Sequence, residues 1–299
     1  VKNPHAAKRG PRPRVQTNWD YRAACNFIGG GTGTGLLIAA AFLAWFDLPV
    51  LASLLIGLTA VGFGLLMVLW EIGRPWRSIN VFFNPKTSWM TREGILAMPL
   101  FFFGGVGVFF YDNVYQGISI GLATTTVAGI VAAGYLYCQL RMLNASKGIR
   151  AWSEPSVRPY MFITGVVEGL GLTLCLPGIG TNLGVWLALA VLLIVRAYLW
   201  LAYGQNLHKN NASVGTCKVI DQFGRQYFTA GHLLPIGLLV LAWLTSTLLP
   251  AYVAGILASA YGWYAKYTIV NRAAQTWGFA IPRTPVRGGG ESLVLGSQQ

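Results

Sequence analysis

The chain has 299 residues, 54% hydrophobic and only 10% charged, with a formal net charge of +13. A soluble domain carries roughly a quarter charged residues, so this composition cannot cover a globular surface in water. It excludes a soluble enzyme and points to an all-α integral membrane protein, leaving the positive balance to be placed along the chain.

Residues 1–22 form a basic arm containing Lys2, Lys8, Arg9, Arg12, Arg14 and Arg22. It has no short apolar core followed by small residues, as a cleavable signal would. The arm reads as a topology determinant rather than a nucleic-acid patch. The transmembrane domain follows over 23–270, with apolar runs at 23–46, 48–70, 94–111, 117–139, 160–177, 183–205, 231–249 and 251–270. Each is near the ~20 residues that a helix needs to cross the hydrocarbon layer. The ten-residue alternation of barrel strands is absent. Eight transmembrane helices, arranged as two four-helix bundles, are therefore expected, with a tail over 271–299.

The first run opens on GGGTGTG at 29–35. No Lys-Ser/Thr follows it and no strand precedes it, so a phosphate-binding loop is not expected. Small residues at helical spacing let helix backbones approach closely in lipid.

Between the second and third runs lies EIGRPWRSINVFFNPKTSWMTRE, residues 71–93, which holds six charges: Glu71, Arg74, Arg77, Lys86, Arg92 and Glu93. Pro75 and Pro85 preclude a continuous helix, and Trp70, Trp76 and Trp89 suit the aromatic belt of a membrane interface. Ser88 and Thr91 offer helix caps. An ordered interfacial loop is expected, with carboxylates and cations at the membrane border.

Deeper in the membrane, Glu168 lies roughly 12 Å into the fifth span and Arg196 roughly 13–14 Å into the sixth, at 1.5 Å per residue. Charges at such depth are costly and need partners. A Glu168–Arg196 ion pair is the simplest pairing, acting either as a structural clasp or as part of a proton relay. Thr164, Gly171 and Cys175 share the Glu168 face, while Trp200 and Tyr203 share that of Arg196.

The four cysteines are scattered without a Cys-x-x-Cys pair, which argues against an iron–sulfur cluster in this chain. Of the three histidines, His208 and His232 fall at span ends and read as interfacial groups. A multi-haem subunit is excluded, and no metal site is expected.

Lys and Arg fall in the arm, in loops 2–3, 4–5 and 6–7 and in the last turn and tail. The other four connections contain none. Arg196 alone lies inside a span on this reading. By the positive-inside rule both termini and the long loops are cytoplasmic, in an inner-membrane protein.

The pattern Gly-Arg-Pro-x-Arg-x-x-Asn at 73–80, with Ser-Trp-Met-Thr-Arg-Glu at 88–93, resembles the DmsC/NrfD-type membrane anchors of molybdopterin oxidoreductases such as dimethyl sulfoxide reductase. The resemblance implies an eight-span subunit with no redox metal of its own and no substrate-converting site. It implies partners that are an iron–sulfur subunit and a molybdopterin catalytic subunit, and exchange of electrons with quinone or quinol. Glu93 matches the family's acidic residue associated with quinol, and Glu71 stands where related anchors carry a His. Arg74, Arg77 and Arg92 complete the expected quinone-binding set. The loops that would dock the partners are expected on the cytoplasmic side, which suits a soluble metabolite. Phenylacetyl-CoA:acceptor oxidoreductases resemble this arrangement. Two other readings remain open: a secondary transporter with a midplane Glu168/Arg196 site, and a purely structural anchor. The former draws on a weak likeness between NFIGGGTGTGLL and MFITGVVEGLGL, the starts of spans 1 and 5.

Overall fold

The computed structural model describes residues 13–72, 75–111, 114–115, 118–276, 283–284 and 293–294. The helix α1 (Tyr21–Leu43) begins at Asp20, whose carboxylate accepts from the Arg22 amide at 2.8 Å. The Arg22 guanidinium closes on the same carboxylate at 2.8 Å and holds its pKa below the ordinary value. Then come α2 (Leu51–Glu71), α3 (Trp89–Phe109), α4 (Ile120–Ala145), a four-residue α5 (Arg150–Ser153), α6 (Val157–Thr173), α7 (Leu183–Lys209), α8 (Val214–Phe228), α9 (Leu234–Thr245) and α10 (Leu249–Tyr267). Ser88, Ser119, Asn182 and Ser213 cap α3, α4, α7 and α8, each accepting the amide three residues on at 3.1–3.2 Å. These contacts fix helix starts by satisfying amides that have no partner within the helix.

Six helical segments are long and apolar enough to cross a membrane: Tyr21–Phe46, Leu51–Glu71, Trp89–Phe109, Ile120–Ala145, Leu183–Lys209 and Val214–Thr245. The chain is thus a helical, multi-pass membrane protein by length and composition. The other two expected spans are also helices, α6 with 17 residues and α10 with 19.

Two differences from the hydropathy reading bear on the polar sites. The third span begins at Trp89 rather than 94, because the Ser88 cap starts the helix ahead of the apolar run. The seventh is no isolated 231–249 segment. The amphipathic α8 runs into it through a π turn at Thr229–Leu233, so helix is continuous from Val214 to Thr245. Pro235 explains this local shape, since it has no N–H to give to the carbonyl four residues back, that of Gly231.

The helices pack as two rings of four. α1–α4 close one ring, each touching the next and α4 returning to α1. α6, α7, the α8–α9 rod and α10 close the second in the same order. The rings meet along α1 and α6, flanked by α1 on α10 and α4 on α6. The GGGTGTG run sits at this junction. A methyl at Gly35 would run into the Gly165 carbonyl, and one at Gly165 would lie 2.9 Å from the Gly31 carbonyl. Backbones this close need residues without side chains on both helices, as the sequence reading expected.

The α1 and α6 helices pack in parallel register. Gly31 meets Gly165 as Gly35 meets Gly169, at equal separations along the chain. Leu136 of α4 reaches across to Gly165, while Trp263 of α10 reaches across to Thr32, donating at 2.9 Å.

One end of the molecule gathers the start of α1, the connection after α4 and the end of α10. Val15 bridges Gln275, and Ile149 bridges Thr276. Arg22 donates to the Trp70 carbonyl at 3.1 Å, and Asn210 donates to Glu154 at 2.9 Å. The ends of α2 and α7 therefore lie there too.

Candidate functional site

At that end, between α1, α2 and α3, lies a cavity of about 460 Å³. Its walls are Leu65, Leu69, Val81, Phe82, Met90, Ala97 and other apolar side chains, with Asn26, Ser78 and Glu93 as polar exceptions. A pocket of this size, apolar with a few fixed polar groups, suits a ring-headed small molecule. Pro75–Phe83, a run of 3-10 turns, forms its outer lip. Leu66, Phe82 and Met90 belong both to the cavity wall and to the exposed outer surface, and Trp76, Ile79 and Phe83 beside them are exposed. The cavity therefore opens through an exposed apolar flank of the helices.

Glu93 is buried, 3% exposed, one turn into α3. Gln139 of α4 donates to its carboxylate at 3.3 Å and also to the Asn26 carbonyl at 3.1 Å. Tyr135 and Cys138, also on α4, lie close enough to feel its charge. The Asn26 Oδ1 and Gln139 Oε1 atoms are buried without a hydrogen-bond partner among the described residues. Two such acceptors beside a carboxylate are costly in an apolar wall, and a ligand hydroxyl would satisfy them.

The rest of the expected set is distributed differently. Glu71 ends α2 beside Ile72, which lines the cavity, but Glu71 itself does not. Arg92 turns away from the cavity. It donates to the Pro85 carbonyl at 2.7 Å and the Lys86 carbonyl at 2.8 Å, and it stacks on Trp89. Its role here is to tie the loop to α3. Arg74 and the side chain of Arg77 lie outside the described residues.

No protein-family model matches the chain, and comparison with curated proteins finds no relative. Whatever the site does has to be argued from its own geometry.

The second polar centre corrects the sequence reading. Glu168 and Arg196 do not pair. Glu168 binds Lys266 of α10 at 2.6 Å and accepts from Thr32 at 2.7 Å, with both charged groups at most 1% exposed. Lys266, assigned by sequence to the basic face, is therefore a core residue. Gly31 and Gly262 make room for it: a methyl at Gly31 would strike the Lys266 ammonium, and one at Gly262 would come within 2.5 Å of Glu168 Oε1. Thr164 and Cys175 instead bond to carbonyls within the helical packing.

Arg196 donates to the carbonyls of Gly231 at 2.6 Å and Ala258 at 2.8 Å, and to His232 Nε2 at 3.1 Å. The Gly231 carbonyl is the one freed by Pro235, so a break in the helix supplies the acceptor that a buried guanidinium needs. His232 is thus buried in the second ring rather than interfacial, and its Nδ1 faces the Tyr227 carbonyl at 3.0 Å. His208 is exposed, as expected, and lies 3.0 Å from Asp221. Among the described residues no cluster of three metal-binding side chains occurs. A second cavity of about 330 Å³, between Gln16, Asn18, Trp19, Lys147 and Trp152, opens where the terminal segments meet.

Sequence reasoning singled out Glu93 but missed Asn26, Gln139 and Tyr135. Polar residues at one depth in spans 1 and 4 were the available signal.

Proposed function

We propose that this chain is the quinone-reactive membrane anchor of an oxidoreductase complex. The observation that carries this reading is Glu93: a buried carboxylate at the inner end of an apolar cavity that opens through an exposed apolar flank. A quinol or quinone is apolar over most of its surface and polar at two ring oxygens, which matches that lining. When bound, the ring supplies two-electron, two-proton chemistry. The chain holds and moves the protons: Glu93 accepts one from a ring hydroxyl, or returns it to a ring oxygen in the opposite direction. Gln139 orients the carboxylate, and the Asn26 side chain beside it offers the ring a further hydrogen-bond partner. The electrons pass to or from the iron–sulfur subunit docked at the same end.

All eight helical segments are taken as spans, with the loop-rich end and both termini in the cytoplasm because Lys and Arg concentrate there. A molybdopterin subunit would join through the iron–sulfur subunit. A CoA thioester such as phenylacetyl-CoA is the substrate class that a cytoplasmic catalytic partner would meet. Of the residues that expectation placed around the ring, Glu71 and Arg92 then serve the rim and loop rather than the proton.

The transporter reading has less to stand on, because its two charges belong to separate networks and neither lines either of the two cavities described above. In membranes holding the whole complex, Glu93→Gln should lower quinol oxidation or quinone reduction at least a hundred-fold with the complex still assembled. Unchanged turnover would reject the assignment. Purification without iron–sulfur and molybdenum subunits would reject the anchor role.

A further inference from the structure

The two rings close in the same helix order, so positions on the α1, α2 and α3 walls of the Glu93 cavity can be matched with positions in the second ring. Along α2 the inward residues are Leu54, Gly57, Val61 and Gly64; along α7 they are Trp186, Leu189, Leu193 and Arg196, at the same steps of three and four. One further step of four reaches Val68 in the first ring and Trp200 in the second. Val68 lines the cavity, whereas Trp200 is 3% exposed within the core. The separation that relates Gly31 to Gly165 carries Asn26 to Tyr160. The inward stripe of α3, Ala97, Leu100, Gly104 and Gly107, matches His232, Pro235, Leu239 and Ala242 of the α8–α9 rod. Stepping back one turn across the π turn then carries Glu93 to Tyr227.

At the cavity end the second ring has the larger side chain, with Arg196 for Gly64, Trp200 for Val68, Tyr160 for Asn26 and His232 for Ala97, and at Glu93 it has the ring of Tyr227. Tyr160 and Tyr227 meet hydroxyl to hydroxyl at 2.8 Å. Trp200 packs on both, with ring centroids at 5.2 Å and 4.8 Å. Arg196, in place of Gly64, lies 5.5 Å from the Tyr227 ring. All are fully or nearly fully buried.

We propose that the second ring holds the closed counterpart of the Glu93 cavity, filled by its own aromatic side chains. The native chain therefore takes one quinol, in the first ring. The space that Trp200 occupies is a latent site for the same class of ring-headed ligand. The choice between open and closed is made at one α2/α7 position, Val68 against Trp200. The ligand class rests on the function proposed above; the closed counterpart of the cavity does not.

The test exchanges these residues in the full complex and counts bound quinol-site inhibitor, a hydroxyquinoline N-oxide, per chain. Wild type is expected to bind one equivalent, Trp200→Val two, and Val68→Trp none, with each variant eluting as the assembled complex. A folded Trp200→Val that still binds one overturns the proposal. If Trp200→Val does not assemble, the milder Trp200→Leu is counted in the same way: a second equivalent supports the proposal, and a single one overturns it. If wild type binds no inhibitor, the ligand class fails and a second readout judges the cavity alone. A cysteine introduced as Tyr160→Cys is alkylated at least ten-fold faster beside Val than beside Trp at position 200 if the closed cavity is real, and at the same rate if it is not.

Discussion

At the residue scale, the molecule keeps its charges in the membrane by giving each a dedicated partner. Glu168 and Lys266 are buried together at 2.6 Å. Removing one member of such a pair leaves a charge without compensation, at about 3–5 kcal/mol, whereas removing both is close to neutral. Lys266→Met or Glu168→Gln alone should therefore lower thermal stability sharply, and the double variant should recover most of the loss, as read from thermal inactivation or aggregation in detergent. Arg196 differs, because two of its acceptors are backbone carbonyls. His232→Ala removes only the 3.1 Å partner of Nε and should destabilise less than Arg196→Ala, which leaves Gly231 and Ala258 carbonyls short of a donor. Sequence could flag Glu168 and Arg196 as costly but could not pair them. The true partner, Lys266, lies 98 residues from Glu168 along the chain. It looked like part of the basic run that ends at Arg272, and nothing in helical periodicity distinguishes a lysine at the interface from one turned inward.

At the element scale, the glycine run in α1 was readable because its requirement is local: small residues at helical spacing are useful only where another backbone comes close. The structure adds which backbones these are. Gly35 faces α6, and Gly33 faces α2, where a methyl would lie 2.5 Å from the Gly57 carbonyl. Overpacking a tight contact costs about 1–3 kcal/mol. Gly35→Ala, which separates the rings, should lower the melting temperature of the purified complex more than Gly105→Ala, since a methyl at Gly105 meets nothing within 4 Å. The α8–α9 rod was less readable. Hydropathy sees the apolar half and not the amphipathic one, so His232 fell at a span end on paper while it lies mid-rod in the fold. The interfacial loop was legible in outline from Pro75, Pro85 and the Ser88 cap. The turn of Arg92 back onto the Pro85 and Lys86 carbonyls was not, because a guanidinium near a carboxylate in sequence need not face it.

At the scale of the whole molecule, two rings of the same order meet on their first helices, and the first ring holds the Glu93 cavity. The helical, multi-pass character followed from composition alone. Two four-helix bundles were expected in outline, but which helices touch was not legible, because the packing depends on side chains far apart in the chain. Reporter fusions at the two termini and in loops 2–3 and 4–5 should all be cytoplasmic, and one in the connection between α6 and α7 should lie outside. Any reversal would move the partner face to the other side. The central claim is that the Glu93 cavity holds the quinone head. A photoreactive quinone analogue, irradiated in membranes and mapped by mass spectrometry, tests it most directly. Labelling that saturates, falls on α2, α3 or the 75–83 segment, and is lost in Val68→Trp is the predicted result; labelling confined to the second ring, or none that saturates, would contradict it.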